Sequence, residues 1–170
     1  NGVRGGCATV HFPIWHQEIE DIIVLKNNKG TEDNRVRKLD YSIQISKIFY
    51  ERFLKNEDIT LFSPHEVPGL YEAFGTEDFD EMYEKYERAY SVPKNKINAQ
   101  TLFMELLKER AETGRIYIMN IDHCNSHSSF FEDEAKISMS NLCQEITLPT
   151  KPLQSFDDKK GEIALCILSA

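Results

Sequence analysis

The apolar residues change their period near Gly114, and that change confines the chain to a mixed α/β architecture. Before it, helical stripes dominate. Ile14, Ile19, Ile22, Ile23 and Leu25 line one side of a helix expected from Pro13 to about Asn28, started by a proline and ended at Gly30. Leu39, Ile43, Ile45, Phe49, Phe53 and Leu54 fit a helix from about Asp40 to Lys55. Tyr41-Ser-Ile-Gln-Ile45 also alternates like a strand, and length favours helix. Further helices are expected at Val67 to Phe74, at Glu77 to Ala89, and after a capping Asn98, with Leu102, Phe103, Leu106, Leu107 and Ala111 buried and Gly114 as the stop. One β-rich run, Asp58 to Phe62, interrupts them before Pro64. After Gly114, the runs Arg115 to Ile121, Leu142 to Leu148 and Glu162 to Leu168 are β-rich. The expectation is one α/β domain, helix-rich in its first two thirds and strand-rich in its last third.

The length of 170 residues suits a single domain with its own core. A net charge of −8, with Lys and Arg scattered among more numerous carboxylates, argues against wrapping a nucleic-acid backbone. The cluster Arg35, Arg37, Lys38, Tyr41 and Lys47 is at most a small basic patch. No apolar run is long enough to cross a membrane, and Asn1 to Gly6 has neither an initiator Met nor a signal-peptide pattern. Cys7, Cys124, Cys143 and Cys166 are too widely spaced for a disulfide framework, so reduced thiols and a cytoplasmic setting are expected. The glycine-rich start and the abrupt apolar end read as a piece of something larger.

The segment Ser140-Asn-Leu-Cys-Gln-Glu-Ile-Thr-Leu-Pro149 carries the most chemistry. If it is extended, Asn141, Cys143 and Glu145 share one face, and Leu142, Gln144 and Ile146 the other. A thiol can surrender or abstract a hydrogen atom, a carboxylate can take a hydroxyl proton, and an amide can both donate and accept hydrogen bonds. A strand with one solvated face shows the same alternation. Cys166 lies in an apolar run, where a buried structural thiol and a redox partner are both open readings. His123, Cys124 and His127 with Cys7 and His11 could be gathered into a zinc site, but no C-x2-C pair is present and the spacing is poor. Gly2 to Gly6 matches neither a dinucleotide fingerprint nor a P-loop. Its glycines permit close backbone approach to a ligand, and Arg4 could pair with phosphate or a base edge.

Asn141 to Ile146, with Ile118-Met-Asn-Ile-Asp-His-Cys-Asn-Ser-His127 before it and Leu148 to Pro152 and Gly161 to Cys166 after it, resembles the large catalytic subunit of class I ribonucleotide reductases. The resemblance is nearest to the bacterial and tailed-phage type and includes Val3 to Gly6, His11 to Trp15, Leu25 to Asn28 and Asp58 to Pro64. It implies a central slice of a ten-stranded α/β barrel with a catalytic finger loop, residues 1–170 forming part of that domain without the regulatory ATP-binding domain or the C-terminal part. It implies that Cys143 carries a transient thiyl radical, that Glu145 accepts the 3′-hydroxyl proton, and that Asn141, with Ser140 beside it, binds the sugar. Cys166 would be one half of the reducing cysteine pair, its upstream partner being absent. Arg4, Gly5 and Gly6 would belong to a loop between the specificity-effector site and the substrate base.

The same resemblance implies ribonucleoside diphosphate substrates and no metal or cofactor held by this segment. The parent enzyme would respond to ATP and deoxynucleotide effectors. A separate small subunit with a di-iron tyrosyl radical, a second large subunit, and thioredoxin or glutaredoxin acting through a C-terminal tail would be the partners, with no nucleic acid or membrane. The competing readings are a non-catalytic nucleotide-binding or assembly fragment and a Cys/His zinc-stabilised domain.

Overall fold

The computed structural model describes residues 6–131 and 134–163. Arg4, Gly5 and Cys166 therefore lie outside the described residues. The organising element is a three-stranded parallel sheet, with β2 (Asp40–Ile45) between β1 (Thr9–Pro13) and β5 (Ile116–Asn120). Parallel neighbours need long crossovers, and the chain supplies them. From β1 to β2 it passes through the short helix α1 (Ile19–Ile23) and a 3-10 turn at Glu32–Asn34. From β2 to β5 it runs through α2 (Lys47–Lys55), β3 (Asp58–Leu61), α3 (Leu70–Ala73), α4 (Phe79–Arg88), β4 (Asn95–Asn98) and α5 (Ala99–Thr113). β3 and β4 form a separate antiparallel ribbon. After β5, α6 (Ile121–Ser126) begins without an intervening loop.

Two expected helices are corrected. The segment from Pro13 to Asn28 is helical only at Ile19–Ile23, because Pro13 ends a strand and Ile14 N donates to Gln44 O at 2.9 Å, extending the ladder. A proline is tolerated there since β1 lies at the edge of the described sheet. The run from Asp40 to Lys55 divides at Ser46 into β2 and α2. Its alternation outweighs its length, since β2 pairs on both sides and buries Tyr41 through Ile45. The helices at Leu70, Phe79 and Ala99 agree with the stripes. Asn98 Oδ1 accepts from the amides of Gln100 and Thr101, both at 3.1 Å, and Gly114 closes α5 with φ 67°. Of the three β-rich runs expected after Gly114, the first is β5, the run from Leu142 to Leu148 is not a strand, and the run from Glu162 to Leu168 lies mostly outside the described residues. Beyond α6 the described residues hold only isolated bridges, Ser140 with Thr147 and Lys151 with Glu162. Among the described residues, no helix is long and apolar enough to cross a membrane.

The core has two parts. Ile43, Ile45 and Ile116 of the sheet meet Ile19, Ile22 and Ile23 of α1, Phe49 of α2, and Leu102 and Leu106 of α5. A second cluster gathers Trp15, Phe62, Leu70, Phe74, Phe79, Met119, Ile121 and Ile137. Trp15 and Phe74 meet edge to face at 5.8 Å, and Phe74 and Phe79 lie 4.8 Å apart. A polar tie joins α2, β3 and α4. Arg52 donates to both carboxylate oxygens of Glu87 at 2.6 and 2.5 Å, and Thr60 Oγ1 donates to the same carboxylate at 2.5 Å. Tyr83 Oη donates to Thr60 O at 2.7 Å and accepts from Thr60 N at 2.8 Å, and burial pushes its pKa well above the usual phenol value.

Gly75 has φ 87°, and a Cβ there would stand 2.6 Å from Ile121 Cγ1 and 3.0 Å from Asn125 Nδ2. Gly114 has φ 67° and open space around it. Gly114→Ala is expected to cost about 1–2 kcal/mol of backbone strain. Gly75→Ala is expected to cost a further 1–3 kcal/mol or so from overpacking. Denaturant titration of both variants beside the parent measures the difference.

Candidate active site

The two faces of the parallel sheet have different chemistry. Residues in register share a face, so Phe12, Ile43 and Ile118 point into the first core cluster. On the opposite face, Thr9 aligns with Asp40, His11 with Ser42 and Tyr117, and Pro13 with Gln44 and Met119. Ser42 and Gln44 are 0% and 1% exposed, although both are polar. A buried hydroxyl and a buried amide require partners. The chain returning after α6 provides them.

That return is held first by Asn125, itself 4% exposed. Its Nδ2 donates to Ile137 O at 3.0 Å and its Oδ1 accepts from Ile137 N at 2.8 Å, so one side chain pairs with the backbone as a strand would. Gln44 Nε2 then donates to Ser138 O at 2.6 Å. The antiparallel bridge between Ser140 and Thr147 closes a short finger. Within it, Gln144 N donates to Asn141 O at 3.2 Å, Asn141 N to Ile146 O at 3.3 Å, and Ile146 N to Asn141 Oδ1 at 3.0 Å. Ser140 Oγ lies 2.6 Å from Ile146 O and 3.1 Å from Asn141 Oδ1; its single proton serves the nearer carbonyl.

The expected strand from Leu142 to Leu148 is therefore a turn. The hydrogen bonds that would have run along a strand are closed within the loop or made to the sheet. Thr9 Oγ1 donates to Leu142 O at 2.6 Å. Ser42 Oγ donates to Gln144 Oε1, and Gln144 Nε2 donates to Ile118 O at 2.9 Å. All three strands thus hold the finger. Cys143 is a free, exposed thiol and Glu145 is exposed, while Ser140 and Asn141 are half-buried. The thiol, the carboxylate and the amide come together on one loop, through a turn and not through strand alternation. Tyr117, on the sheet face below, has its pKa raised by burial first and then by the Asp40 carboxylate.

The remaining candidates disperse. Gly6 and Cys7 are exposed. Burial and then Asp122 push the Cys124 thiol up. His123 of α6 and His127, the residue just after that helix, meet edge to face with ring centres 5.4 Å apart. Among the described residues no group of three or more His, Cys, Asp or Glu is placed to hold a metal ion, which removes the support for a zinc-stabilised domain there. The basic patch does not converge. Arg37 pairs with Glu32 and donates to Asn27 O, Tyr41 is buried and donates to Val36 O, and Lys47 pairs with Glu51. Sequence reasoning missed Thr9, Ser42 and Gln44 as the finger's anchors. The available signal was polar residues alternating inside the apolar run Tyr41 to Ile45.

The sequence matches the family model of the ribonucleotide reductase barrel domain over residues 1–170. The chain belongs to this family. It is 60% identical over 171 residues to the ribonucleoside-diphosphate reductase alpha subunit of Buchnera aphidicola subsp. Schizaphis graminum, which covers 99% of this chain and 22% of that protein. Identity is 57% over 171 residues to the alpha subunit of Haemophilus influenzae, covering 99% of this chain and 23% of the relative. To the alpha subunit of Enterobacteria phage T4 it is 48% over 172 residues, covering 99% and 22%. The chain spans about a fifth of the length of these curated relatives.

Within this ribonucleotide reductase barrel segment, His11 reports on the sheet beneath the finger. Among the described residues neither ring nitrogen finds a hydrogen-bond partner of standard geometry, although both are shielded from solvent. Burial lowers its pKa below 6.5, and the nearby backbone of Ser140 offsets part of that effect. His16 is also lowered, by burial first, with Glu18 opposing. The unfolded chain therefore binds protons at a higher pH than the folded one. This part of the stability is full above the ordinary imidazole value and is lost as pH falls through it toward the folded value. Unfolding free energy measured from roughly pH 7 to pH 5 is expected to decline, with a smaller slope in His11→Leu.

Proposed function

We propose that this chain supplies the radical-carrying finger of a ribonucleoside-diphosphate reductase alpha subunit, which converts ribonucleotides to 2′-deoxyribonucleotides. The observation that carries the reading is the presentation of Cys143 at an exposed turn, between Asn141 and Glu145, on a loop tied to a buried polar sheet face. In this reading the parallel strands are part of a ten-stranded barrel whose interior shields a radical from water. Residues 1–170 form part of that barrel domain. The regulatory ATP-binding domain, a second large subunit and the small subunit that generates the radical belong to the larger assembly, in a cytoplasmic setting.

The chemistry follows from the three side chains. A thiyl radical at Cys143 Sγ takes the hydrogen from C3′ of the ribose, leaving an S–H bond on the protein and a carbon radical on the sugar. Glu145 removes the 3′-hydroxyl proton, which eases loss of the neighbouring 2′-hydroxyl. A thiol of the reducing cysteine pair protonates that leaving group, which departs as water. At the end of the turnover the Cys143 S–H returns its hydrogen atom to C3′ and restores the thiyl radical. Asn141 has its amide oxygen engaged by Ile146 N, so its Nδ2 is the group presented to the sugar, with Ser140 shaping the loop beside it. Two electrons are needed to complete reduction. They come from a cysteine pair, of which Cys166 is one member, as it becomes a disulfide. Thioredoxin or glutaredoxin restores the thiols through the parent's C-terminal tail. In the same reading Arg4, Gly5 and Gly6 serve to relate effector to substrate base.

In the full-length alpha subunit combined with its small subunit, Cys143→Ser is expected to abolish deoxynucleotide formation, because an alcohol O–H bond is too strong to replace S–H in hydrogen-atom transfer. Multi-turnover activity in that variant would end the assignment. Glu145→Gln is expected to lower kcat by about 10²–10⁴-fold, the usual contribution of a positioned base, with substrate binding retained. Steady-state kinetics alongside equilibrium substrate binding measures both effects.

A further inference from the structure

Gln144 lies between the two residues to which the chemistry is assigned, and its backbone is unusual. Its φ of 63° places it in the left-handed region, which disfavours a residue bearing a Cβ. Its side chain is fully engaged, with Oε1 accepting from Ser42 Oγ and Nε2 donating to Ile118 O at 2.9 Å. Ser42 is completely buried. Two residues earlier, Leu142 O accepts from Thr9 Oγ1 at 2.6 Å. The sheet thus holds the Leu142 carbonyl and the Gln144 side chain, while the side chains of Cys143 and Glu145 are exposed.

We infer that Gln144 and Ser42 form a positioning pair that sets the orientation of Cys143 and Glu145 toward the substrate. The clamp compensates the left-handed conformation of Gln144, and that conformation turns the flanking side chains away from the sheet. Neither Gln144 nor Ser42 touches the reacting atoms; both act through the loop. The inference rests on Cys143 and Glu145 being the reacting pair. Hydrogen-atom transfer is sensitive to placement, and a displacement of about 1 Å can cost roughly 10²-fold in rate. Truncating Gln144 also strands the buried Ser42 hydroxyl and the Ile118 carbonyl without their partner.

The test uses the full-length alpha subunit with its small subunit and a ribonucleoside diphosphate. Gln144→Ala and Ser42→Ala are each expected to lower kcat by about 10–100-fold while KM stays within about twofold. The double variant is expected to be no worse than Gln144→Ala, because both substitutions remove the same interaction. Gln144→Asn keeps an amide and tolerates the left-handed region but is one methylene too short to reach both partners. It should therefore stay as slow as Gln144→Ala. Radical loss per deoxynucleotide formed, followed spectroscopically, should rise in all three single variants, which a purely structural defect would not produce. If Gln144→Ala does not fold, the smaller Ser42→Ala change carries the same comparison.

Full kcat in Ser42→Ala and Gln144→Ala would overturn the inference, as would full recovery in Gln144→Asn or an effect confined to KM. Cys143→Ser assayed in parallel separates the two levels. Activity there defeats the proposed function, whereas an inactive Cys143→Ser beside a fully active Gln144→Ala defeats only the positioning pair.

Discussion

The structure depends on β2, a strand paired on both sides and covered on both faces. Such a strand usually reads as a continuous apolar run. Here Ile43 and Ile45 supply apolar contacts on one face, and Ser42 and Gln44 place a hydroxyl and an amide on the other. Those two groups are stable in the interior only because the finger and the segment leading into it bring acceptors to them. The requirement to satisfy buried polar groups thus couples the sheet to the loop that carries Cys143. A finger set free would leave the centre of the sheet with unpaired donors.

The remaining elements make that sheet possible. Parallel order demands that the chain cross over twice, and α1 and α5 use their crossings to pack Ile19, Ile22, Leu102 and Leu106 on the apolar face. Asn27 and Glu109, both buried, tie the middle of the first crossover, just after α1, to α5 through a 2.6 Å hydrogen bond. Farther along, Arg52, Thr60, Tyr83 and Glu87 lock α2, β3 and α4 together. Burial raises the Glu87 pKa, and the bonds from Arg52 and Thr60 more than offset it, so the net shift is downward and the carboxylate stays charged. The helical layer thus backs the sheet on its apolar face, while the opposite face receives the finger.

Membership of the ribonucleotide reductase barrel family and the geometry of the finger support each other without being the same argument. The family match covers the whole chain but says nothing of how Cys143 is presented. The geometry shows a turn closed by Ser140, Asn141 and Ile146 and docked through Thr9, Ser42 and Ile118. A turn and a strand place residues 141, 143 and 145 differently. A strand would separate them by about 6.6 Å steps along a line, whereas a turn gathers them around one loop.

Legible in the sequence alone were the α/β class, the helices at Leu70, Phe79 and Ala99, the Asn98 cap, the Gly114 stop and the proximity of Asn141, Cys143 and Glu145. These are local properties, set by side-chain period, capping and residue chemistry within a few positions. Tertiary structure decided that Asp40 to Lys55 would divide into strand and helix, because only pairing with β1 and β5 makes Tyr41 to Ile45 an interior strand. It decided too that Leu142 to Leu148 would turn back on itself. Ser42 precedes Gln144 by 102 residues, and the hydrogen bond between them exists only once the sheet has formed. Local pattern marks Ser42 and Gln44 as polar residues in an apolar run, but it carries no information about their partners, and those come from the fold.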